Sequence, residues 1–437
     1  MRPLEALLAA AVILVLAMRW LQPRNRQVTA TMLAMIGILM VLHLVFDGWR
    51  WEMIPAYGLG VAAAWILSRD LQRVSGAKAG ESSRWIAVPS AGQRAARGIP
   101  LAIVAIAAVV IPAVVFPRIV LPEPDGLYWV GRLEATWTDP ARGGRPVVAT
   151  IWYPAEQPNG RALRYHPNPS ALGSSLSQGT PLPGFTFRNL AGTRTHSTSD
   201  PRFSVREGRS PIVLWSPDSG ASRYEQTALF EQLASHGYVV ASVGAEGNGS
   251  TVEADLAQRT GDLSFVLNTL VALPAGGVVD TLNTHVRVDR IALIGRGAGA
   301  AAAMELAAGE QRINGVVAIA PGSLGQAAMA GVRRPMLVFT VGESTPGIDD
   351  ALRYGGTEAR LEGASAATLS DRALLGTPVT SMLGIESGDA PRDVHAAVSA
   401  LTLRFLDQYL KERRQETQVD LPSQVRVRII PHQPRAG

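Results

Sequence analysis

Cysteine is absent from the 437-residue chain. A domain built from this sequence outside the cytoplasm is therefore held by its core alone, without disulfides and without a thiolate metal site. Lysine is almost absent: Lys78 and Lys411 stand alone beside abundant Arg, Ala and Gly, a bias that reads as source-genome composition rather than functional choice. The formal net charge is +5, but no basic run follows position 120 and much of the excess flanks apolar stretches, so nucleic acid is not an expected partner. No group of His, Asp and Glu recurs at ligand spacing, so neither a metal nor any other cofactor is expected. No internal repeat organises the chain beyond position 120.

What is present divides the chain in two. Residues 1–120 hold four apolar stretches, at about 4–20, 28–46, 53–67 and 99–120. A helix that crosses a bilayer needs roughly 17 to 25 apolar residues, so the sequence predicts an all-α membrane domain of four spans. Glu5 interrupts the first stretch, and Pro55 and Tyr57 fall in the third, but Leu21, Pro23 and several arginines follow the first instead of a small-residue cleavage site. Arginines near short loops stay cytoplasmic. The first connection carries Arg19, Arg24 and Arg26, and the third carries Arg69, Arg73, Lys78, Arg84, Arg94 and Arg97, which puts both inside. The amino terminus and residues 121–437 then lie outside, as in an integral protein of a bacterial plasma (inner) membrane with an extracytoplasmic carboxyl-terminal domain. A transport path would need ionisable groups in the spans, and only Glu5 and His43 are there.

Beyond the linker LPEPDG, two alternating stretches around TDPARGG read as a β-hairpin. Asn159 to Ser210 is rich in Pro, Gly, Ser, Thr and Asn, an irregular excursion over one face of the domain. Short apolar strands then alternate with helices: PIVLWS, a helix over Tyr224 to Ser235, GYVVASV, a helix over Val252 to Leu273, RIALIG with an alanine-rich helix, NGVVAIAP, PMLVFTVG, PVTSMLG, and an amphipathic helix from Asp393 to Arg413. That order implies an α/β domain over 121–437, a mostly parallel sheet covered on both faces. The tail VRVRIIPHQPRAG is an edge strand or loose chain.

The stretch IGRGAGAAAAMEL (294–306) fits two architectures. As G-x-G-x-x-A it would cradle a dinucleotide, but that needs an acidic residue about 20 positions on. The next strand ends Ala318, Ile319, Ala320, Pro321, Gly322, with neither acid nor arginine, and the motif follows at least two strand and helix pairs instead of opening its domain. The other architecture is a hydrolase's nucleophile elbow. YWVGRLEATWTDPAR, IWYPA, SPIVLWSPDSGASRYE, LASHGYVVASV, GDLSFVLNTL, DRIALIGRGAGAAAA and LTLRFLDQYLK run in the order found in the α/β-hydrolase superfamily, and the chain from 127 to 412 resembles its platelet-activating-factor acetylhydrolase and dienelactone hydrolase-like members.

That resemblance implies a Ser nucleophile at the elbow, a His base, an Asp that orients it, and backbone N–H groups for the oxyanion. Laid on this sequence the nucleophile position is Gly297, the acid position Ala320 and the His position Ser387, so all three triad positions are degenerate. Asp218, Ser219 and Ala298 stand at the oxyanion-loop positions, with Pro217 bringing no N–H and Asp218 bringing negative charge. Glu343 sits at an alternative acid position and His395 near the pocket edge. Helix capping fits His236 better than chemistry, a turn fits Ser323, and Asn248 to Ser250 forms a glycosylation sequon. The resemblance thus leads to a membrane-anchored, catalytically degenerate hydrolase-fold protein that binds a lipid or acyl ligand or a protein partner. The alternative is an active carboxylic-ester hydrolase with catalytic groups at non-standard positions.

Overall fold

The computed structural model describes residues 7–8, 10–15, 26–46, 53–76, 121–177, 192–206, 208–244, 252–272, 282, 285–342, 345–374, 391–413 and 421–435. These divide into two compact units, one within the first 118 positions and a larger one after them.

In the smaller unit, α1 (Arg26–Phe46) and α2 (Ile54–Gly76) are joined by a hydrogen bond of 2.7 Å between His43 Nε2 and Tyr57 Oη. His43, a polar group in an apolar helix, is thereby buried with a partner, as such groups must be. Gln27–Val45, with mean hydropathy 2.3, is the one helix among the described residues long and apolar enough to cross a membrane. This corrects the expectation of four spans. α2 is long enough, but it runs on through Arg69, Asp70 and Arg73, so its uncharged part is too short. Of the stretch 4–20 only residues 7, 8 and 10–15 are described, as helix, and 99–120 lies outside the described residues.

The larger unit opens with the expected hairpin. β1 (Trp129–Asp139) and β2 (Arg145–Ala155) pair antiparallel, with Trp129 opposite Ala155 and Asp139 opposite Arg145. Asp139 Oδ1 accepts the Ala141 N–H at 3.0 Å, and Gly143 at φ 68° takes the left-handed turn that a side chain would resist. The excursion that follows contributes a short helix, α3 (Pro169–Ser177), and one short strand, β3 (Ser197–Ser199), beside β1.

Strands and helices then alternate: β4 (Ser210–Ser216), α4 (Thr227–Ser235), β5 (Val239–Val243), α5 (Val252–Val271), β6 (Val286–Arg296), α6 (Ala298–Gly309), β7 (Ile313–Ile319), α7 (Gln326–Met329), β8 (Met336–Val341), α8 (Ile348–Ala351), β9 (Gly356–Glu362), α9 (Pro391–Leu410) and β10 (Arg426–His432). The ten-stranded sheet has the order β10-β9-β8-β7-β6-β4-β5-β2-β1-β3. Strands β4 to β9 are mutually parallel, and β2 and β10 add to them antiparallel.

Strand side chains alternate between faces, which explains why the central strands are apolar throughout. Ile212 and Leu214 join the core under α5 and α6, whereas Trp215 meets Phe230 of α4 on the other face at 5.1 Å. One expectation fails here. The strand that follows β8 in the series is β9, GTEARLE, which has β10 as its other neighbour, and PVTSMLG lies outside the described residues. Glu358 is why β9 escapes a hydrophobic pattern: it is buried, but it accepts from the Thr340 hydroxyl at 2.6 Å and from Arg360 at 2.9 Å. The chain passes from β4 to β5 on one side and returns to β6 on the other, so the sheet switches direction between β4 and β6. Ligand crevices in open α/β sheets form outside the carboxyl ends of such strands.

Two buried groups fasten the excursion to this sheet. Glu231 of α4, fully buried, accepts the backbone N–H groups of His196 at 2.9 Å and Ser197 at 2.7 Å. Replacing it with Ala strands both donors, and about 3 kcal/mol should be lost. The melting temperature of the detergent-solubilised chain should fall clearly for Glu231→Ala and less for Glu231→Gln, which keeps one acceptor. His166, packed edge-on against Tyr224 at 4.7 Å, has its pKa pushed down to about 4 by burial first and by Arg223 second. The unfolded imidazole takes a proton near pH 6.5 and the folded one does not until about 4, so stability falls as pH drops through that window. Between pH 7 and 4.5 the melting temperature of His166→Gln should decline less steeply than that of the unaltered chain.

Candidate functional site

The crevice between β4 and β6 is lined by the turn after Ser216 and by the elbow that leads from Arg296 into α6. Gly297, at φ 55° and ψ −122°, makes the sharp corner. Few residues with a side chain tolerate that backbone. Its neighbours explain the alternating glycines: a Cβ on Gly295 would lie 2.3 Å from Gly299 O, and one on Gly299 would lie 2.1 Å from Ser216 O. Close packing of strand, elbow and helix therefore accounts for both without any phosphate.

At Gly297 the group in the way of a side chain is another side chain and not backbone. A Cβ there would sit 2.1 Å from Asp218 Oδ1 and 2.2 Å from its Cγ. The carboxylate of Asp218 occupies the space above the elbow. Its Oδ1 accepts the Ala298 N–H at 3.0 Å and the Ser219 N–H at 2.8 Å. The Ala298 N–H is the first of α6, where a negative charge is stabilised by the helix.

The surrounding residues keep that carboxylate in place. Ser219 Oγ donates to Asp255 Oδ2 at 2.7 Å, Arg259 Nε donates to the same oxygen at 2.8 Å, and Arg259 Nη1 donates to Pro217 O at 2.9 Å. Burial works against ionisation of Asp255, but the hydrogen bonds from Arg259 and Ser219 outweigh it and hold its carboxyl below the usual carboxylate range. From the other side, the buried Arg296 guanidinium lies 3.6 Å from Asp218 Oδ2 and 3.3 Å from Glu225 Oε1, and donates to Ala366 O at 3.2 Å. One arginine thus links the elbow, the β4 turn region and the segment after β9.

Of the residues singled out in the sequence, Gly297, Ala298, Asp218 and Ser219 meet at one point. Ala320 flanks them: Gly297 donates its N–H to Ile319 O at 3.0 Å and accepts the Gly322 N–H at 2.9 Å. Ala320 has φ 42°, and its N–H donates to Phe339 O at 2.8 Å. Ser387 and Glu343 lie outside the described residues. The basis for choosing Ser387 changes, because β9 is the strand that follows β8 in the series.

His395 lies apart from the elbow, buried in the first turn of α9 with Nε2 at 3.4 Å from Asp371 Oδ1. Asp371 Oδ2 accepts from Tyr165 Oη at 3.1 Å and from the Ala228 N–H at 3.3 Å, and burial pushes its carboxyl up against the opposing effect of those partners and His395. The Asp371 N–H donates to Glu225 O at 3.2 Å, so the pair sits one residue behind Arg296. Neither Asp371 nor Glu225 stood out in the sequence. Reading GTEARLE as a strand would have directed attention to the segment after Glu362. Of the remaining histidines, His236 closes α4 with its N–H on Gln232 O at 3.2 Å, and His285 stacks on Phe203. Among the described residues no cluster of His, Cys, Asp and Glu could hold a metal ion.

Chemically, a hydrolase elbow needs a nucleophile and free donors for the developing oxyanion. Here a carboxylate oxygen already takes the Ala298 N–H, and no side chain projects from position 297. No family model matches the chain, and no curated protein matches its sequence. Among solved structures it is similar to a ferulic acid esterase from Streptomyces cinnamoneus, with a TM-score of 0.56 and 22% identity over 70% of this chain and 98% of that one. That likeness shows the fold: the larger unit is an α/β-hydrolase-fold domain. It does not extend to the finer grouping with platelet-activating-factor acetylhydrolases.

The steric argument at the elbow is directly testable. Gly297→Ala pushes the Asp218 carboxylate off its N–H donors and adds backbone strain at the corner, and together these should cost about 3 kcal/mol. The double substitution Asp218→Gly with Gly297→Ala should recover more than half of that, leaving about 1–2 kcal/mol of left-handed backbone strain. Equal and additive melting-temperature losses for the two changes would show that the contact does not govern the site.

Proposed function

We propose that this chain is a membrane-anchored α/β-hydrolase-fold protein that has lost ester hydrolysis and acts by binding. The observation that carries this reading is the Asp218 carboxylate, seated over Gly297 with Oδ1 on the N–H groups of Ala298 and Ser219. A tetrahedral intermediate needs such donors for its own oxyanion, and removing even one in a working hydrolase costs two to three orders of magnitude in rate. With Gly297 in place of a nucleophile and Ala320 in place of an acid, the elbow keeps its shape and lacks its chemistry.

The finer assignment rests on the sequence. The ordered motifs from 127 to 412 support a place among carboxylic-ester and lipid hydrolases of the platelet-activating-factor acetylhydrolase type, which points to a lipid or acyl ligand or a protein partner. The apolar helix Gln27–Val45 supports anchoring, and the arginine distribution supports an extracytoplasmic carboxyl-terminal domain at a bacterial inner membrane.

One observation favours a second reading, an active hydrolase with displaced groups: the buried His395 Nε2 lies 3.4 Å from Asp371 Oδ1, an acid beside an imidazole as a triad requires. Two measurements on the detergent-solubilised full chain separate the readings. A serine-reactive fluorophosphonate should leave the protein unlabelled, and p-nitrophenyl butyrate should be hydrolysed no faster than in buffer, with Asp218→Asn and His395→Ala making no difference. Labelling that a single Ser substitution abolishes, or turnover that either variant abolishes, would sink the binding-protein reading.

A further inference from the structure

At the amino ends of the parallel strands, the buried core of the hairpin runs out onto the surface. Tyr153 stacks on Phe203 at 5.8 Å, and Phe203 on His285 at 4.9 Å. Ala155, two residues beyond Tyr153, pairs with Trp129 on one side and with Phe203 on the other, so these four side chains share one face of the sheet. Trp129 continues that face outward but is 58% exposed, and Val205, two residues beyond Phe203, is 54% exposed. Leu127 is 77% exposed, and Val288, three residues beyond His285, is 41% exposed. Tyr128, Ser204 and Arg287, each next in the chain to one of these, line a single cavity of about 330 Å³, which confines the four to one stretch of the edge.

Eight large hydrophobic side chains stand exposed among the described residues of the larger unit, and half of them are here. Scattered singly they would need no explanation, but gathered at one edge they mark an interaction surface. Area argues against a second copy of this chain as the occupant. Four such side chains expose on the order of 400 Å², half of the roughly 800 Å² that each partner of a stable complex buries.

Two features favour a bilayer surface. The first is chemical: Trp129 and the aliphatic side chains stand among the exposed Arg202, Arg206 and Arg209, a mixture suited to the headgroup layer of a membrane. Glu156 is exposed beside them and Glu207 follows Arg206 in the chain, so the net charge is small and the apolar side chains make the attachment. The second is connectivity. Leu127 is seven residues past the end of the apolar stretch 99–120, a reach of at most about 25 Å. The linker is pinned along α4, with the Asp125 N–H on Gln232 Oε1 at 3.2 Å and the Tyr128 N–H on Ser235 O at 3.1 Å, and so delivers the chain to this edge.

We infer that the amino-terminal edge of the sheet is a membrane-docking surface, with Leu127, Trp129, Val205 and Val288 seated among lipid headgroups. Docking there turns the elbow, at the far end of β4, toward the aqueous phase. The inference rests on the anchoring part of the proposed function and not on the loss of hydrolysis.

The absence of cysteine makes a direct test possible. Leu127→Cys, Val205→Cys and, as a control, Ile429→Cys are each labelled with bimane in the full chain and reconstituted at one copy per phosphatidylcholine nanodisc, with plain lipid or lipid carrying a headgroup nitroxide. Recovery of the chain in the discs reports anchoring by itself, and a chain that stays out overturns anchoring and docking together. In the discs, nitroxide lipid should quench the labels at 127 and 205 at least threefold more than the label at 429, a position 47% exposed on β10 at the other end of the sheet. Phosphatidylglycerol in place of phosphatidylcholine should change this less than twofold. Trp129→Glu with Val205→Glu should cut quenching of the 127 label at least threefold, with a melting temperature close to that of the unaltered chain. If the double variant fails to fold, Val205→Glu alone, outside the regular strands, still serves and should cut it clearly. Equal quenching at the three positions, or quenching at 127 untouched in the folded variants, overturns the assignment. So does shielding of the labels from aqueous iodide that arises only when two copies share a disc, which would assign the edge to self-association.

Discussion

The Asp218 carboxylate is the group around which the carboxyl edge of the sheet is arranged. It needs a residue without a side chain beneath it, and Gly297 is that residue. It needs hydrogen-bond donors, and the first N–H of α6 and its own neighbour's N–H supply them. Arg296 lies close to its second oxygen, and Asp255 and Arg259 of α5 pin the turn that carries it. Moving the carboxylate would leave the amino end of α6 and a buried guanidinium short of negative charge together. Such a coupled set is hard to change one residue at a time.

This also explains why the strained corner persists although no nucleophile occupies it. In a working hydrolase the corner presents a reactive side chain. Here glycine adopts φ 55° at little cost, and the corner instead lets β6, α6 and the β4 turn approach within the distances that Gly295 and Gly299 permit. The geometry is retained as packing, with electrostatic satisfaction of a helix end in place of chemistry. A carboxylate at a helix amino terminus is a stabilising arrangement on its own account.

What the sequence disclosed and what it hid follow from the range of the interactions involved. Central strands such as PIVLWS and RIALIG are buried on both faces, so their apolar runs were legible, and so was the vacancy at Gly297, which needs only its neighbours in the chain. β9 was not legible, because Glu358 is buried by pairing with Thr340 and Arg360 and so breaks the pattern that marks a strand. The contact between Asp218 and Ala298 joins residues eighty positions apart, and that between Glu225 and Asp371 spans still more. Asp218 was visible as a charge in the wrong loop. That it fills the nucleophile's space was not, since no local pattern encodes it. The membrane reading erred in the opposite way: apolar stretches were counted by composition, while α2 runs on into charged residues.

The charge balance around the elbow bears on any anionic ligand. At the carboxyl edge, the positive end of α6 is already matched by a charge from within the chain, with Arg296 placed between Asp218 and Glu225. An incoming anion there would have to displace a carboxylate held by two N–H groups. In this chain the end of the fold that usually recruits ligands is closed by its own side chain.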